Sequence, residues 1–571
     1  MPNIVYVDIK NFRTIHRLSW YPGHGTNCLI GAGDSGKTTV LDALDFCLGA
    51  RRNISFSDYD FFNSDVSQSI SITVALGALE ASLLNFDSYG EYLAGYDSTN
   101  ANFEEEPRNG LETVLILQMK VEKDLEPQWR LYSKRAEEKA LERNLRWEDR
   151  QAISPVRLGE HTDWHLTWRK GALFERLSDE KLGLNAGLSD AARKARSDFG
   201  QLANAELTKA LETVKQSAKS LGVPTGDQVQ ALLDAGSVKF GTGAISLHGT
   251  NNVPLASLGT GSKRLLVAGL AKAVTNSANI ALVDELETGL EPHRIRSLLK
   301  ELGTKSKDNR QQVFATTHSP VVLRELNHSQ LSILRKDNTG KHIAITPGET
   351  AQGILRAHSE VFLGNRVVVC EGPSEIGFIR GMDRHHCEHG STSYEVLGTV
   401  ATNAAGTSRI LGPAEEFLRL GYPTAIFMDS DKPLAPQDET RFKSNGGVIF
   451  RWPNNWALED AIFQCVPPQV IVALLHYAQS LPSGAKIDDH IRSASNGVFG
   501  IDNVIHWATT GEINQDTLTK LGTAARTGEW FKRIDPYEHL VQHILSPDWS
   551  SLNPNLTKTA DDLWKWTVNV N

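Results

Sequence analysis

The sequence predicts an α/β chain of more than one domain, built on parallel strands that end in functional turns. Three observations predict it. A glycine-rich turn, "GAGDSGKT" at 31–38, separates the apolar "CLI" from a segment with helical apolar spacing at Val40, Leu41, Leu44 and Leu48. Three other apolar runs stop at carboxylates: Ile280–Val283 at Asp284 and Glu285, "RVVVC" at Glu371, and "AIFM" at Asp429 and Asp431. Finally, 571 residues exceed what a single core organises.

Taken in order, "NIVYVDIKNF" and "NCLIG" read as strands flanking the glycine turn. Ile70, Ile72, Val74 and Leu76 alternate at period two, as a half-buried strand does. Residues 111–135 read as further sheet, and 86–110, rich in Asn, Glu and Gly, as a surface loop. Asp190 to Leu221 is Ala-rich with helical spacing, which suits a helical insert or dimerisation element. Strand–helix alternation returns over 236–335, a connector follows, and "RVVVCEG" opens a new strand. The expected division is 1–150 and 236–350 as two parts of one domain, 151–235 as the insert, and 351–571 as a second α/β domain. That second domain closes in a mainly helical tail from 466, with Trp549, Trp564 and Trp566 available for packing.

Composition narrows the class. Hydrophobic content of 40% and charged content of 22% are ordinary for a globular chain. No apolar run approaches the about 20 residues of a membrane span, and "MPNIVYVDIKNF" lacks the pattern of a secretory signal. Five scattered cysteines suit a reducing compartment, so a cytoplasmic protein without membrane contact is expected. A formal net charge of −9 counts mildly against a nucleic-acid binder, which is often basic, without excluding one, since basic patches can be local and a metal nuclease concentrates carboxylates at its site.

The glycine turn fits G-x-x-x-x-G-K-[ST] in the context that motif requires, after a strand and opening a helix. Backbone N–H groups and the helix N-terminus cradle phosphates there. Gly31, Gly33, Asp34, Ser35, Gly36 and Thr39 are expected to form the cradle, Lys37 would reach the β and γ phosphates of ATP, and Thr38 would ligate Mg²⁺. Asp284 would hold that Mg²⁺, and Glu285 would polarise the attacking water. "SLGTGSKR" precedes this acidic pair, and "FATTHSP" follows it with His318 after a strand. In order, the four motifs resemble the ABC-type ATPase set. That resemblance implies that Ser257, Gly259 and Gly261 cap the γ-phosphate on an opposite subunit, that His318 is the switch histidine, and that the chain dimerises head to tail. The signature departs from L-S-G-G-Q. Asp58 and Asp60 in "SFSDYDFF" read as structural rather than as a glutamine-loop equivalent.

In "RVVVCEGPSE", Glu371 ends a strand and Glu375 follows four residues on, on the same face if a helix starts there. "AIFMDSDKP" and "WALEDAI" add Asp429, Asp431, Glu459 and Asp460. Acids at the C-terminal ends of adjacent parallel strands converge on one crevice. A divalent cation relieves their repulsion, and oxygen-only ligands favour Mg²⁺ or Mn²⁺.

A glutamate-glycine strand end followed by D-x-D resembles the Toprim domain. Behind an ABC-type ATPase it resembles the OLD (overcoming lysogenization defect) family of ATP-dependent nucleases, including the nuclease subunit of Gabija-type phage-defence systems. The resemblance implies that Glu371, Glu375, Asp429, Asp431, Glu459 and Asp460 are metal ligands or their outer shell. It also implies that Lys532 in "GEWFKRIDPYEHL" is a catalytic lysine. The implied activity is DNA cleavage by a homodimer or homotetramer, with a helicase or other defence subunit as a further partner. Pro433 stands where a topoisomerase would carry a third aspartate, and neither a tyrosine-nucleophile domain nor a primase zinc module is evident. An ATP-driven DNA-binding sensor without nuclease activity is the other class in play. The basic runs Arg193, Lys194, Arg196 and Lys134, Arg135 are candidates for backbone contact, though such runs are usually solvated faces. "DRHHCEHG", with His385, His386, Cys387 and His389, reads as a structural loop because no second ligand pair accompanies it.

Overall fold

The structure is a computed structural model. It describes every residue except 1, 52–53, 160–164, 168–171, 177–183, 221–228, 232–244, 250–251, 274–279, 306–310, 338, 483 and 570–571. The expected helical insert therefore lies partly outside the described residues.

Thirteen strands form one sheet: β1 (Asn3–Phe12), β2 (Ile15–Trp20), β3 (Thr26–Ile30), β4 (Ile70–Gly77), β5 (Leu93–Asp97), β6 (Asn102–Glu104), β7 (Glu112–Val121), β8 (Pro127–Tyr132), β9 (Val156–Leu158), β10 (Ile280–Val283), β11 (Gln312–Thr316), β12 (Leu331–Lys336) and β13 (His342–Ile345). Its order is β6-β5-β7-β4-β1-β2-β13-β12-β3-β11-β10-β9, with β8 beside β7. The half around β1, β4 and β7 is antiparallel, and β12, β3, β11, β10 and β9 are parallel. A second sheet holds β14 (Arg366–Cys370), β15 (Thr399–Asn403), β16 (Thr424–Met428) and β17 (Val448–Arg451), all parallel, in the order β15-β14-β16-β17.

Three local expectations are corrected. Val156–Leu158, inside the span read as helical insert, is an edge strand paired with β10. The stretch read as a loop contains the β5–β6 hairpin, held by Tyr96 and Phe103 packing against each other and on Tyr21 and Tyr6. "DRHHCEHG" is not a loop but the end of the helix Pro373–Glu388, where His385 packs on Trp549 and His386 stacks on Trp564 at 3.8 Å. The Ala-rich stretch forms two helices, Leu184–Glu206 and Thr208–Ser220.

The two sheets share a core. Val313 and Ala315 of β11 belong to the same buried cluster as Val367, Ile426 and Phe417. Arg335 of β12 crosses the junction: its guanidinium lies 3.5 Å from the Tyr422 ring centroid, and it donates to the Gly364 carbonyl at 3.2 Å. None of the described helices is long and apolar enough to cross a membrane.

One buried histidine makes stability depend on acid. His342 in β13 is 2% exposed, and neither ring nitrogen finds a hydrogen-bond partner among the described residues. Burial first, then the charges of Lys336 and His16, lower its pKa to about 4 from the usual 6.5. Between those values the unfolded chain binds a proton that the native state refuses. The stability is therefore complete above pH 6.5 and is lost as pH falls towards 4. Relative to His342→Leu, the native protein should lose about 2 kcal/mol between pH 7 and 4.5, measured by denaturant unfolding at both. Parallel pH profiles for the two proteins would contradict this.

Candidate functional site

The phosphate loop follows the fully buried β3 and opens the helix Lys37–Leu48. Gly31 is required: its φ is +155°, and a Cβ there would meet the Leu334 carbonyl oxygen at 2.6 Å. Lys37 is 6% exposed, and its Nζ donates to the carbonyls of Gly31 (3.1 Å) and Ala32 (2.8 Å) and to Ser35 Oγ (3.3 Å). The ammonium thus sits on the loop's own oxygens, ready to exchange them for phosphate oxygens. Burial lowers its pKa, opposed by the charges of Asp34, Asp284 and Glu285.

The acidic turn after β10 faces this loop. Thr38 Oγ1 donates to Asp284 Oδ1 at 3.2 Å, and Thr316 Oγ1 donates to the same oxygen at 2.7 Å. Thr316 Oγ1 also accepts the Glu285 N–H at 2.8 Å. Glu285 is exposed and holds φ at +47°, a left-handed conformation costly for a residue with a side chain. Two features keep it there. Buried Arg264 donates to the carbonyls of Asp284 (2.8 Å) and Glu285, and Thr288 Oγ1 donates to Glu285 Oε2 at 2.8 Å. Glu287 accepts from Thr317 Oγ1 (2.6 Å) and from the His318 N–H (2.7 Å), which ties the histidine turn to the acidic turn. Arg157 of β9 pairs with Asp284 at 3.4 Å and with Asp42 at 2.5 Å.

Arg157, Arg264, Glu287 and Thr316 escaped the sequence reading. Two of them, Arg264 and Thr316, stand inside quoted motifs, but nothing in the motifs gives their partners.

The signature residues play unequal parts within one chain. Ser257 is exposed and donates to the Pro254 carbonyl at 2.6 Å, and a Cβ on Gly259 would meet nothing within 4 Å. Gly261 lies so close to Gly289 that a Cβ would sit 2.2 Å from its carbonyl oxygen. Asp60 receives Arg13 Nε at 2.9 Å and the Ser57 N–H at 3.0 Å, a structural pairing.

In the second sheet, β14 and β16 are neighbours, and Glu371 and Asp429 stand at their C-terminal ends. The connection from β14 leads to β15 on one side, and β16 lies on the other, so the crevice is a switch point of the strand order. The Asp429 N–H donates to Glu371 Oε2 at 3.2 Å, and Thr407 Oγ1 donates to Glu371 Oε1 at 2.7 Å. The Leu458 N–H, at the start of the helix Leu458–Cys465, donates to Asp429 Oδ1 at 2.9 Å. The next helix starts at Pro373, so Glu371 and Glu375 do not share a helical face. Glu375 instead folds back to accept the Gly372 N–H at 2.7 Å. Glu459 is 5% exposed and accepts from Tyr537 Oη at 2.8 Å.

These acids feel one another. Burial first, then the charges of Glu459 and Glu371, push the Glu375 carboxyl up to about 7. Burial, then Glu375, Glu459 and Glu371, push Asp429 well up as well. Burial raises Glu459, against the lowering charge of Lys532. Lys532 is exposed and paired with Glu529 at 2.9 Å, close enough for its charge to reach the crevice.

Asp431 and Asp460, expected in the same ligand set, have another partner. Arg526 Nη1 lies 3.6 Å from Asp431 Oδ2 and 3.1 Å from Asp460 Oδ2, and Asp460 also caps the Ala457 N–H at 3.1 Å. Among the described residues no arginine, lysine or histidine pairs within 4.0 Å with Glu371, Glu375, Asp429 or Glu459. No three acids, histidines or cysteines among them converge tightly enough to form a ready-made cation cage. Glu375 and Glu459, buried, and Glu371 and Asp429, half-buried, nevertheless make an all-oxygen, mutually repelling set of the kind that a hard divalent cation takes as ligands.

Three of the candidate basic residues hold surface ion pairs. Lys134 pairs with Glu105 at 2.8 Å, Arg135 with Glu106 at 3.1 Å, and Arg193 with Asp190.

A phosphate loop with its lysine, a threonine hydroxyl on a strand-end aspartate and an adjoining glutamate define a P-loop ATPase. Residues 26–324 of the 571 match the family described as "AAA domain, putative AbiEii toxin, Type IV TA system", and the chain belongs to that family. Over 53 residues it is 42% identical to the DNA replication and repair protein RecF of Nitrosococcus oceani, a match spanning 9% of this chain and 14% of that relative. Among solved structures it is similar to the Smc head domain of Pyrococcus furiosus with an extended coiled coil, bound to the C-terminal domain of ScpA. That likeness has 14% identity, covers 62% of this chain and 99% of that one, and has a TM-score of 0.36. It is also similar to the SMC head domain from Thermotoga maritima, at 12% identity over 61% and 99%, with a TM-score of 0.29.

Proposed function

We propose that the chain is an ATP-regulated, divalent-metal-dependent DNA endonuclease of the OLD type that serves in phage defence. The observation that carries the nuclease reading is the placing of Glu371 and Asp429 on adjacent parallel strand ends at a switch point, with Glu375 and Glu459 beside them. Mg²⁺ or Mn²⁺ would be held by Glu371, Glu375, Asp429 and Glu459, with Asp431 and Asp460, tied to Arg526, around them. When bound, the cation supplies Lewis-acid polarisation of the scissile phosphate and acidifies a water.

The protein's own groups do the rest. Glu375, folded back onto the Gly372 N–H, is held at the crevice as one of the cation's carboxylates. Lys532 offsets charge that builds on the phosphate. Tyr537 and Thr407 orient Glu459 and Glu371 through the hydrogen bonds they donate. In the ATPase part, Lys37, Thr38 and Asp284 hold ATP and its Mg²⁺, and Glu285 orients the water. A head-to-tail dimer would bring Ser257 and Gly259 onto the partner's nucleotide.

The test is plasmid cleavage by the purified chain with and without ATP, in Mg²⁺ and in Mn²⁺. A second reading, an ATP-driven DNA-binding protein without nuclease activity, draws on the lack of a ready-made cation cage among the described residues. It predicts ATP hydrolysis with the plasmid intact in either metal.

Glu375 gives a stability test that needs no DNA. Between pH 4.5 and about 7 the native chain holds a proton that the unfolded chain has released, so stability falls as pH rises through that window and is lowest above it. Without divalent metal, Glu375→Gln should raise stability at pH 8 by about 1–3 kcal/mol and leave it unchanged at pH 4. Denaturant midpoints at the two pH values measure this, and a variant less stable at pH 8 would contradict it.

A further inference from the structure

A groove of about 690 Å³ lies on the outer face of the antiparallel part of the large sheet. Lys10, Arg17, Lys120, Arg130 and Lys341 line it, with His16, against a single acid, Asp65. In a chain of net charge −9, this wall has the opposite sign.

Strand register explains the concentration of charge. Arg17 of β2 is directly opposite Lys10 of β1, Lys10 is opposite Ser71 of β4, and Ser71 is opposite Lys120 of β7. These residues form one cross-strand row. Their neighbours Ile9, Leu18, Ile72 and Met119 point the other way, into the core. Arg130 of β8 lies opposite Gln118 and donates to it at 2.8 Å, in the adjoining row. Like charges placed directly opposite one another destabilise a sheet, so the Lys10–Arg17 pair costs the fold energy unless an anion lies over it.

The acids nearby do not discharge the row. Lys10 pairs with Asp8 at 3.2 Å, Lys120 with Glu122 at 2.6 Å, and Arg130 with Glu137 at 3.9 Å, each with a partly exposed cation that exchanges readily in water. Arg17 is exposed and has no ion pair among the described residues.

We infer that this cross-strand row of cations binds the sugar-phosphate backbone of DNA, as a surface separate from the acid crevice. Width decides between a strand and a single small anion. From Arg130 of β8 to Lys341 beside β13 the cationic lining spans six strands, five spacings of about 4.8 Å or about 24 Å in all. One nucleotide or pyrophosphate would meet only a part of that span. A duplex presents a phosphate about every 3.4 Å along each strand, enough to meet the whole row.

The test uses the full chain in EDTA, with a fluorescent DNA duplex followed by anisotropy over a salt series. Arg17→Gln with Lys120→Gln should weaken binding about tenfold or more and make the log affinity against log salt slope shallower by about 2. Arg17→Lys with Lys120→Arg should keep the slope. Asp429→Asn should also keep it, which separates this inference from the nuclease reading. Since the substituted side chains stand outside the core and Arg17→Gln removes a like-charge pair, thermal unfolding should come no earlier than in the wild type. An unaltered slope and affinity in the glutamine variant would overturn the inference. So would displacement of the duplex by inorganic triphosphate as effectively as by unlabelled duplex.

Discussion

Replacing Lys37 with alanine is expected to lower ATP turnover by roughly 10²–10³-fold, the usual loss when a group aimed at developing phosphate charge is removed. The argument rests on where the ammonium sits. It is buried, its pKa is pulled down by that burial, and its hydrogen-bond acceptors among the described residues are two loop carbonyls and a serine hydroxyl. Phosphate oxygens offer it a charge that those neutral oxygens do not, so the exchange is favourable and lysine-specific. Arginine in its place should not rescue, because a planar fork does not match three acceptors gathered around a single ammonium nitrogen. Phosphate release by the purified chain measures both variants. Turnover within threefold of wild type in Lys37→Ala would sink the assignment.

The second large effect concerns the crevice. Asp429→Asn is expected to lower metal-dependent DNA cleavage by at least about 10²-fold, with ATP hydrolysis retained. Asparagine keeps an oxygen that can accept the Leu458 N–H, so the local fold is preserved while the charge is lost. Losing that charge also removes one source of repulsion on Glu375. Glu371→Ala should match it in cleavage and do worse in stability, because it strands the hydroxyl of Thr407 and the Asp429 N–H. Plasmid nicking at pH 8 in Mn²⁺ is the assay, and wild-type nicking by both variants would end the acid-crevice reading.

The parts of this molecule legible in its sequence are those written locally. The phosphate loop is one contiguous motif, and apolar runs that stop at carboxylates announce β10, β14 and β16. The remainder depends on partners distant in the chain. Val156–Leu158 is only three residues long and is a strand because β10, more than a hundred residues later, offers an edge. Tyr537 reaches Glu459 across 78 residues. It can do so because Gly377 leaves room for the helix Ile534–His539: a Cβ there would meet the Ile534 carbonyl oxygen at 2.3 Å. Asp460 reads as a ligand until Arg526, 66 residues on, is placed beside it. The cation row is invisible for the same reason, since Lys10, Arg17 and Lys120 become neighbours only through strand register.

The core common to both sheets has a mechanical consequence. β12 is paired with β3 at Ser332–Leu29 and Ile333–Ile30, immediately before the phosphate loop. Two residues further along β12, Arg335 lies over Tyr422, whose carbonyl receives the hydroxyl of Thr424, the first residue of β16. β16 ends at Asp429. The phosphate loop and the floor of the crevice are therefore the two ends of a short, stiff lever in which Arg335 is the rivet. Close-packed interiors shift between discrete arrangements rather than stretching, so a displacement entering at one end of this lever has little slack in which to be lost.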